Sequence, residues 1–179
     1  INNSLVHIPD NLCIPYTEGE QPLQELVNFV YPDIDSTNCS TFLANSHMIL
    51  TTKNAYVEEI NNMLIDRLPG GLIEYFSRDE TINPDDQATY EDLLNSINPP
   101  GMPPHRLLLK ENCPIILLRN MDPTEGLCNG TRLICKHLET NVIHAIISCG
   151  DKIGKEVFLH RIPMKPPSDL KFPIAFQRR

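Results

Sequence analysis

The stretch Gly126-Leu-Cys-Asn-Gly-Thr-Arg-Leu133 opens the most strand-like part of the chain, and its reading decides which fold follows. Asn-Gly is the commonest tight-turn pair. Asn129-Gly130-Thr131 is also a glycosylation sequon, and with Arg132 it offers donors of the kind that meet nucleic-acid backbones. The surrounding sequence alternates with period two. "PIILLRN", "GTRLICKHL", "NVIHAIISC", "EVFLHRIPM" and "FPIAFQRR" are separated by "DPTEGLCN", "ET", "GDKIGK" and "KPPSDLK". Five short strands with tight turns predict a small closed or nearly closed antiparallel barrel over residues 106–179. In such a barrel Arg119, Asn120, Asn129, Thr131, Arg132, Lys155 and Arg161 offer donors around its turns, where small barrels bind single strands. Aromatic residues are few in this half (Phe158, Phe172 and Phe176), so on physical grounds alone the turn reading leads.

The first part of the chain has a different rhythm. "QPLQELVNFVYP" predicts a helix entered at Pro22 and closed before Pro32. "SHMILTT" suits a buried strand, and Thr51 or Thr52 is placed to cap a helix through "KNAYVEEINNMLIDRL". The apolar stripe of that helix is Val57, Ile60, Leu64 and Leu68, and Pro69-Gly70-Gly71 ends it. "LIEYFSRDE" alternates as a strand does. Helix, strand, helix, strand is the order of an α/β layer built on parallel strands, here with too few strands for a finished sheet. Lys53 and Asn54 stand at the edge where α/β sheets bind ligands. Asn61 falls on the apolar side of its helix, where a buried amide either pins a loop or faces a cleft. Residues 79–105 are acidic and proline-rich, mostly loop apart from a short helix at "TYEDLLNSI", and 86–105 read as a connector.

Charge is sorted along the 179 residues. Residues 1–100 hold 16 Asp/Glu against 3 Lys/Arg, a net of −13, whereas residues 101–179 hold 7 against 12, a net of +5. A polyanionic partner would therefore meet the second half, although such asymmetry is also met where both faces are simply solvated. The 16 prolines imply many fixed turns. No run is apolar enough to span a membrane, and no signal pattern opens the chain. The six cysteines form no C-x-x-C pair and read as reduced, mostly buried thiols of an intracellular protein. On that reading the sequons at Asn2, Asn38 and Asn129 stay unmodified. G-x-x-x-x-G-K-[ST], G-x-G-x-x-G and H-E-x-x-H are all absent, so no catalytic residue or metal ligand is assigned.

Longer passages carry more than these motifs. "MILTTKNAYVEEINNML", "LPG", "DLLNSINPPGMPPHRLLLKENCPIILLRNMDPTEGLCNGTRLI" and "FPIAFQRR" together resemble the C-terminal region of the petite-integration-frequency DNA helicases, especially eukaryotic forms related to Helitron transposon helicases. The resemblance runs through nearly the whole chain and is densest over residues 90–135. It implies an ATP-dependent, superfamily-one enzyme moving 5′-to-3′ on single-stranded DNA, with two RecA-like motor domains and an inserted barrel similar to the Src-homology-three fold. The implied fold class is α/β plus β. Residues 1–85 resemble the first part of the second motor domain, with an incomplete parallel sheet, and residues 106–179 resemble the inserted barrel. Lys53 stands where a threonine is common in the family.

The family's phosphate-binding loop, magnesium-binding carboxylates and arginine finger lie in parts not matched here. The resemblance thus implies that ATP and magnesium serve the parent enzyme and that this piece alone binds neither. The implied partners are single-stranded DNA and the first motor domain, with no membrane. The implied roles are DNA repair, recombination or transposon mobility, in the nucleus or alternatively in mitochondria. Carried over by position, Lys53, Asn54 and Asn61 organise the cleft between domains, while Arg119, Asn120, Asn129, Thr131 and Arg132 face DNA or fix the barrel's entry loop. The rival expectation is a domesticated, non-enzymatic module that binds single strands or proteins.

Overall fold

A computed structural model describes residues 7–14, 21–36, 47–167 and 172–179. The sequons at Asn2 and Asn38, with Cys39, lie outside the described residues. Helix α1 spans Pro22–Val30, with Pro22 in its first turn, where a missing N–H costs nothing, and it stops before Pro32. Helix α2 spans Asn54–Arg67 and ends just before Pro69-Gly70-Gly71. The expected threonine cap is not made: Lys53 holds the cap position and no side chain accepts from the first turn.

The strands are β1 (Leu72–Phe76), β2 (Asp79–Thr81), β3 (Arg106–Lys110), β4 (Pro114–Ile116), β5 (Arg132–Leu138), β6 (Val142–Ile147), β7 (Glu156–His160) and β8 (Phe176–Arg178). Helix α3, Gln87–Ser96, lies between β2 and β3. Every pairing among the described strands is antiparallel: β1 with β3, β2 with β8, and the sheet β4-β5-β6-β7.

Two expectations are corrected here. No parallel sheet forms among the described residues, because β1 takes β3 as a five-pair antiparallel partner and residues 47–52 are not a strand. Nor does a closed barrel form. Its expected last strand, β8, pairs with β2 instead, so β4 and β7 remain the two edges of a four-stranded sheet.

Three apolar clusters hold these pieces. Val27, Tyr31, Ile34, Ile65, Leu68, Leu109, Cys113 and Cys135 join the helices to β3 and β5. Leu117, Leu133, Ala145, Ile147, Val157 and Leu159 form the inner face of the four-stranded sheet. Leu94, Met102, Met164 and Phe176 fill the space between α3 and β8. Buried Lys110 extends from β3 to the end of α2, donating to the carbonyls of Leu68 (2.6 Å) and Asp66 (3.2 Å), which the helix itself leaves unpaired. The cysteines among the described residues are free thiols. Cys113 and Cys135 are buried neighbours, and Cys135 is pushed above the ordinary thiol range by its bond to Cys113 and by burial.

The neck where β2 meets β8 depends on one buried ion pair. Arg178 makes two 2.8 Å bonds to Asp79 and donates to the carbonyls of Leu94, Ile97 and Pro103. Both side chains are essentially inaccessible to solvent. Two of these carbonyls close the C-terminal end of α3, where a cation is favoured. The guanidinium's planar fork thus joins a strand, a helix end and the 99–104 loop in one network.

Candidate nucleic-acid interface

The predicted donors separate to opposite ends of the four-stranded sheet. At the β4–β5 end the chain makes a long loop rather than a short hairpin. Asn129-Gly130 is nevertheless a tight turn within it: the Thr131 N–H donates to the Cys128 carbonyl at 3.0 Å, and Gly130 takes φ +88°, which favours glycine.

Much of the polar chemistry here is directed inward. The Asn120 Oδ1 accepts from the Asn129 N–H at 2.8 Å, and the Thr131 hydroxyl donates to the Gly126 carbonyl (2.8 Å) while accepting from the Cys128 N–H (3.1 Å). Arg119 donates to the Lys165 carbonyl, and Lys155 is paired with Glu125. Arg132, half-buried and opposite Ile116 in the ladder, and exposed Asn129 are the remaining candidates at this end.

Arg161 stands at the other end, just after β7. Its guanidinium donates to the carbonyls of Phe76 (2.9 Å) and Thr140 (3.4 Å) and lies 5.8 Å from the centre of the Tyr75 ring. A cleft of about 460 Å³ opens beside it, also lined by Phe76, Arg78, Asn141, Val142, His160 and Arg179. Sequence reasoning did not select Phe76, Arg78, His160 or Arg179 for this role. They come from three separate chain segments, and the only local hint is the aromatic pair in "EYFSR".

Helix α2 packs toward β3 and β5 through Ile65 and Leu68. Asn61 is exposed, contrary to its expected place on the apolar side, because the helix buries Ile60, Ile65 and the Leu68 that follows it. Val57, in the first turn, is also exposed. Lys53 is exposed with its ammonium 5.6 Å from the Tyr56 ring; Asn54 opens the helix, and its side chain is outside the described set.

A larger polar cavity, about 680 Å³, lies on the neck and contains Ser77, Asp79 and His105. The Ser77 hydroxyl donates to Asp79 Oδ1 (2.8 Å), and its oxygen lies 2.9 Å from His105 Nδ1. With the hydroxyl proton committed to the carboxylate, the histidine nitrogen is placed to donate to Ser77, not to withdraw its proton. The trio braces the Asp79–Arg178 pair and is not arranged as a nucleophile and base. Among the described residues there is no cluster of His, Cys, Asp and Glu suited to a metal ion, and no helix is long and apolar enough to cross a membrane.

Comparison with known proteins agrees with the sequence resemblance. Residues 92–138, from α3 to the end of β5, match the model of the DNA helicase Pif1 2B domain. Comparison with curated protein sequences gave no match. The fold is similar to that of unliganded Pif1 from Bacteroides sp (19% identity, 92% of this chain and 38% of that one, TM-score 0.50). Bacteroides sp Pif1 in complex with ADP-AlF4 is similarly related (19% identity, 88% and 36%, TM-score 0.50). The chain spans little more than a third of these structures' length.

Proposed function

We propose that this chain is a helicase piece whose sheet module contacts single-stranded DNA, while a separate motor half binds and hydrolyses ATP. The observation that carries this reading is the match of residues 92–138 to the Pif1 2B domain. In the parent enzyme, residues 1–85 belong to the second RecA-like motor domain, 86–105 connect, and 106–179 form the inserted module. The parent moves 5′-to-3′ and belongs to the Helitron-like branch. It works in the nucleus, or alternatively in mitochondria, in repair, recombination or transposon mobility.

On this reading ATP and magnesium are held by other parts of the parent enzyme, where the phosphate-binding loop lies. The chain's share is to hold the strand. Arg161 at the cleft end, with Arg132 and Asn129 at the loop end, supply donors for phosphates, and Asn120 and Thr131 fix the loop that carries Asn129. Lys53, Asn54 and Asn61 face the cleft shared with the first motor domain. Fluorescence anisotropy of a labelled single-stranded oligonucleotide, titrated with the 179-residue chain across a salt series, tests the reading. Binding that weakens steeply with salt is expected from phosphate contacts. A folded chain that binds nothing at low salt would mean that another part of the parent holds the strand.

A further inference from the structure

We propose that the cleft beside Arg161 is a binding site for one nucleotide unit of a single nucleic-acid strand, with Arg161 and Arg179 on its phosphate and Phe76 against its base. The inference rests on the single-strand reading above and assigns it a place.

Three observations converge. First, no aspartate or glutamate side chain lines the cleft, whereas three arginines and His160 do. Arg78 has Glu80 as an ion-pair partner at 2.8 Å, but the Arg179 side chain has no hydrogen-bond or ion-pair partner among the described residues.

Second, Arg78 and Arg179 are a directly opposed cross-strand pair. Each backbone N–H donates to the other's carbonyl, at 2.7 and 2.9 Å, extending the β2–β8 ladder by one position. Because side chains alternate across a strand, this pair faces the side opposite the buried Asp79–Arg178 pair. Like charges placed directly opposite repel one another. A phosphate between them would convert that repulsion into attraction.

Third, Arg161 is already oriented. Its bonds to Phe76 and Thr140 involve three of its five N–H groups, so the fork is held in place with donors to spare. Phe76, 52% exposed, lines the same opening, with its ring 5.7 Å from that of His105, and the cleft's 460 Å³ falls in the range of small-ligand sites. An exposed ring beside cations suits a single strand, whose bases are free to stack.

The test is the same anisotropy salt series on variants of the 179-residue chain, each checked for folding by circular dichroism. Arg179→Ala, which removes no internal bond, is expected to weaken oligonucleotide binding and to reduce the slope of log K against log salt by about 0.7. Arg161→Lys keeps the charge but not the fork, and is expected to weaken binding with little change of slope. Phe76→Leu is expected to lower affinity about tenfold, again at constant slope, and to lose nothing further on an abasic oligonucleotide. Unchanged affinity and slope in all three variants would overturn the cleft while leaving single-strand binding intact. Loss confined to Arg132→Ala would do the same by moving the contact to the loop end. Displacement of the oligonucleotide by ATP far more effectively than by inorganic phosphate would assign the cleft to a free nucleotide and overturn the strand. No binding by the unsubstituted chain would overturn the cleft together with the reading it rests on.

Discussion

At the β4–β5 end of the four-stranded sheet, Asn120 and Thr131 bond to the loop that carries them, whereas at the cleft end the Arg179 side chain has no hydrogen-bond or ion-pair partner among the described residues. Both ends are rich in hydrogen-bond donors. The difference lies in what surrounds them. A fifteen-residue connection between β4 and β5 must satisfy its own turned backbone, and polar side chains within it are the nearest partners. Short strands meeting at a neck satisfy their backbones through the ladder, which leaves side chains such as Arg179 available. Density of donors in sequence is therefore a weaker sign of a binding site than donors left over after the backbone is satisfied.

The largest effect expected from testing this contrast lies directly beneath the cleft. Arg178→Ala leaves Asp79 buried without its partner and frees three carbonyls, so it should destabilise the chain by about 3–5 kcal/mol in urea denaturation. If Arg178→Ala melts like the unsubstituted chain, the neck is not held by this pair, and the alignment of Arg78 with Arg179 loses its support. At the opposite end Thr131→Val should cost about 1–3 kcal/mol, since it strands the Cys128 N–H and the Gly126 carbonyl. The salt slope of oligonucleotide binding should not change, because the hydroxyl serves the loop. A changed slope at full stability would make Thr131 a contact residue and erase the contrast.

Gly126→Ala sharpens the same point. Gly126 has φ +83°, and an added Cβ would lie 2.9 Å from the Lys152 side chain, so a loss of roughly 1–2 kcal/mol is expected. Thermal melting of the variant would show it. The smallest effect concerns the helical side of the molecule. Arg67 bonds to Asp35 at 2.9 Å and holds its carboxyl below the ordinary 3.8. A depressed folded-state pKa gives stability that is present above the unfolded value and is lost as pH falls through the folded one. The stability difference between the unsubstituted chain and Asp35→Asn should thus be small at neutral pH and shrink as pH falls below the ordinary carboxylate range.

The helices and several strands were legible because their signals are local, whereas "SHMILTT" reads as a strand and residues 47–52 form none, and β3 is not among the expected strands. Pro22 and Pro32 bracket α1, Pro69-Gly70-Gly71 stops α2, and period-two alternation marks β5, β6 and β7. The short helix expected within "TYEDLLNSI" is the body of α3. The expected turn at Asn129-Gly130 is also present, since positive φ at a turn's third position is a property of glycine itself. Asn61 was misread for a different reason. Its neighbours Val57 and Leu64 suggested one apolar stripe, but which face of α2 is covered depends on where α1 and β3 pack, and that face is centred on Ile60, Ile65 and Leu68.

Partner choice was not legible at all. Nothing in "LIEYF" distinguishes a parallel neighbour from the antiparallel β3, and "FPIAFQRR" reads equally well as the last strand of a barrel or as a partner for β2. By itself the sequence determined where α1 and α2 stop, where β5, β6 and β7 lie, how charge divides between the halves, and the helicase-like passage over residues 92–138, because each depends on neighbouring residues or on their order. Tertiary structure alone decided that Arg178 is buried against Asp79 and that Phe76, Arg78, Arg161 and Arg179 share one opening. Those placements depend on strand pairing across nearly a hundred residues, and the energies that select it arise only when distant segments pack together.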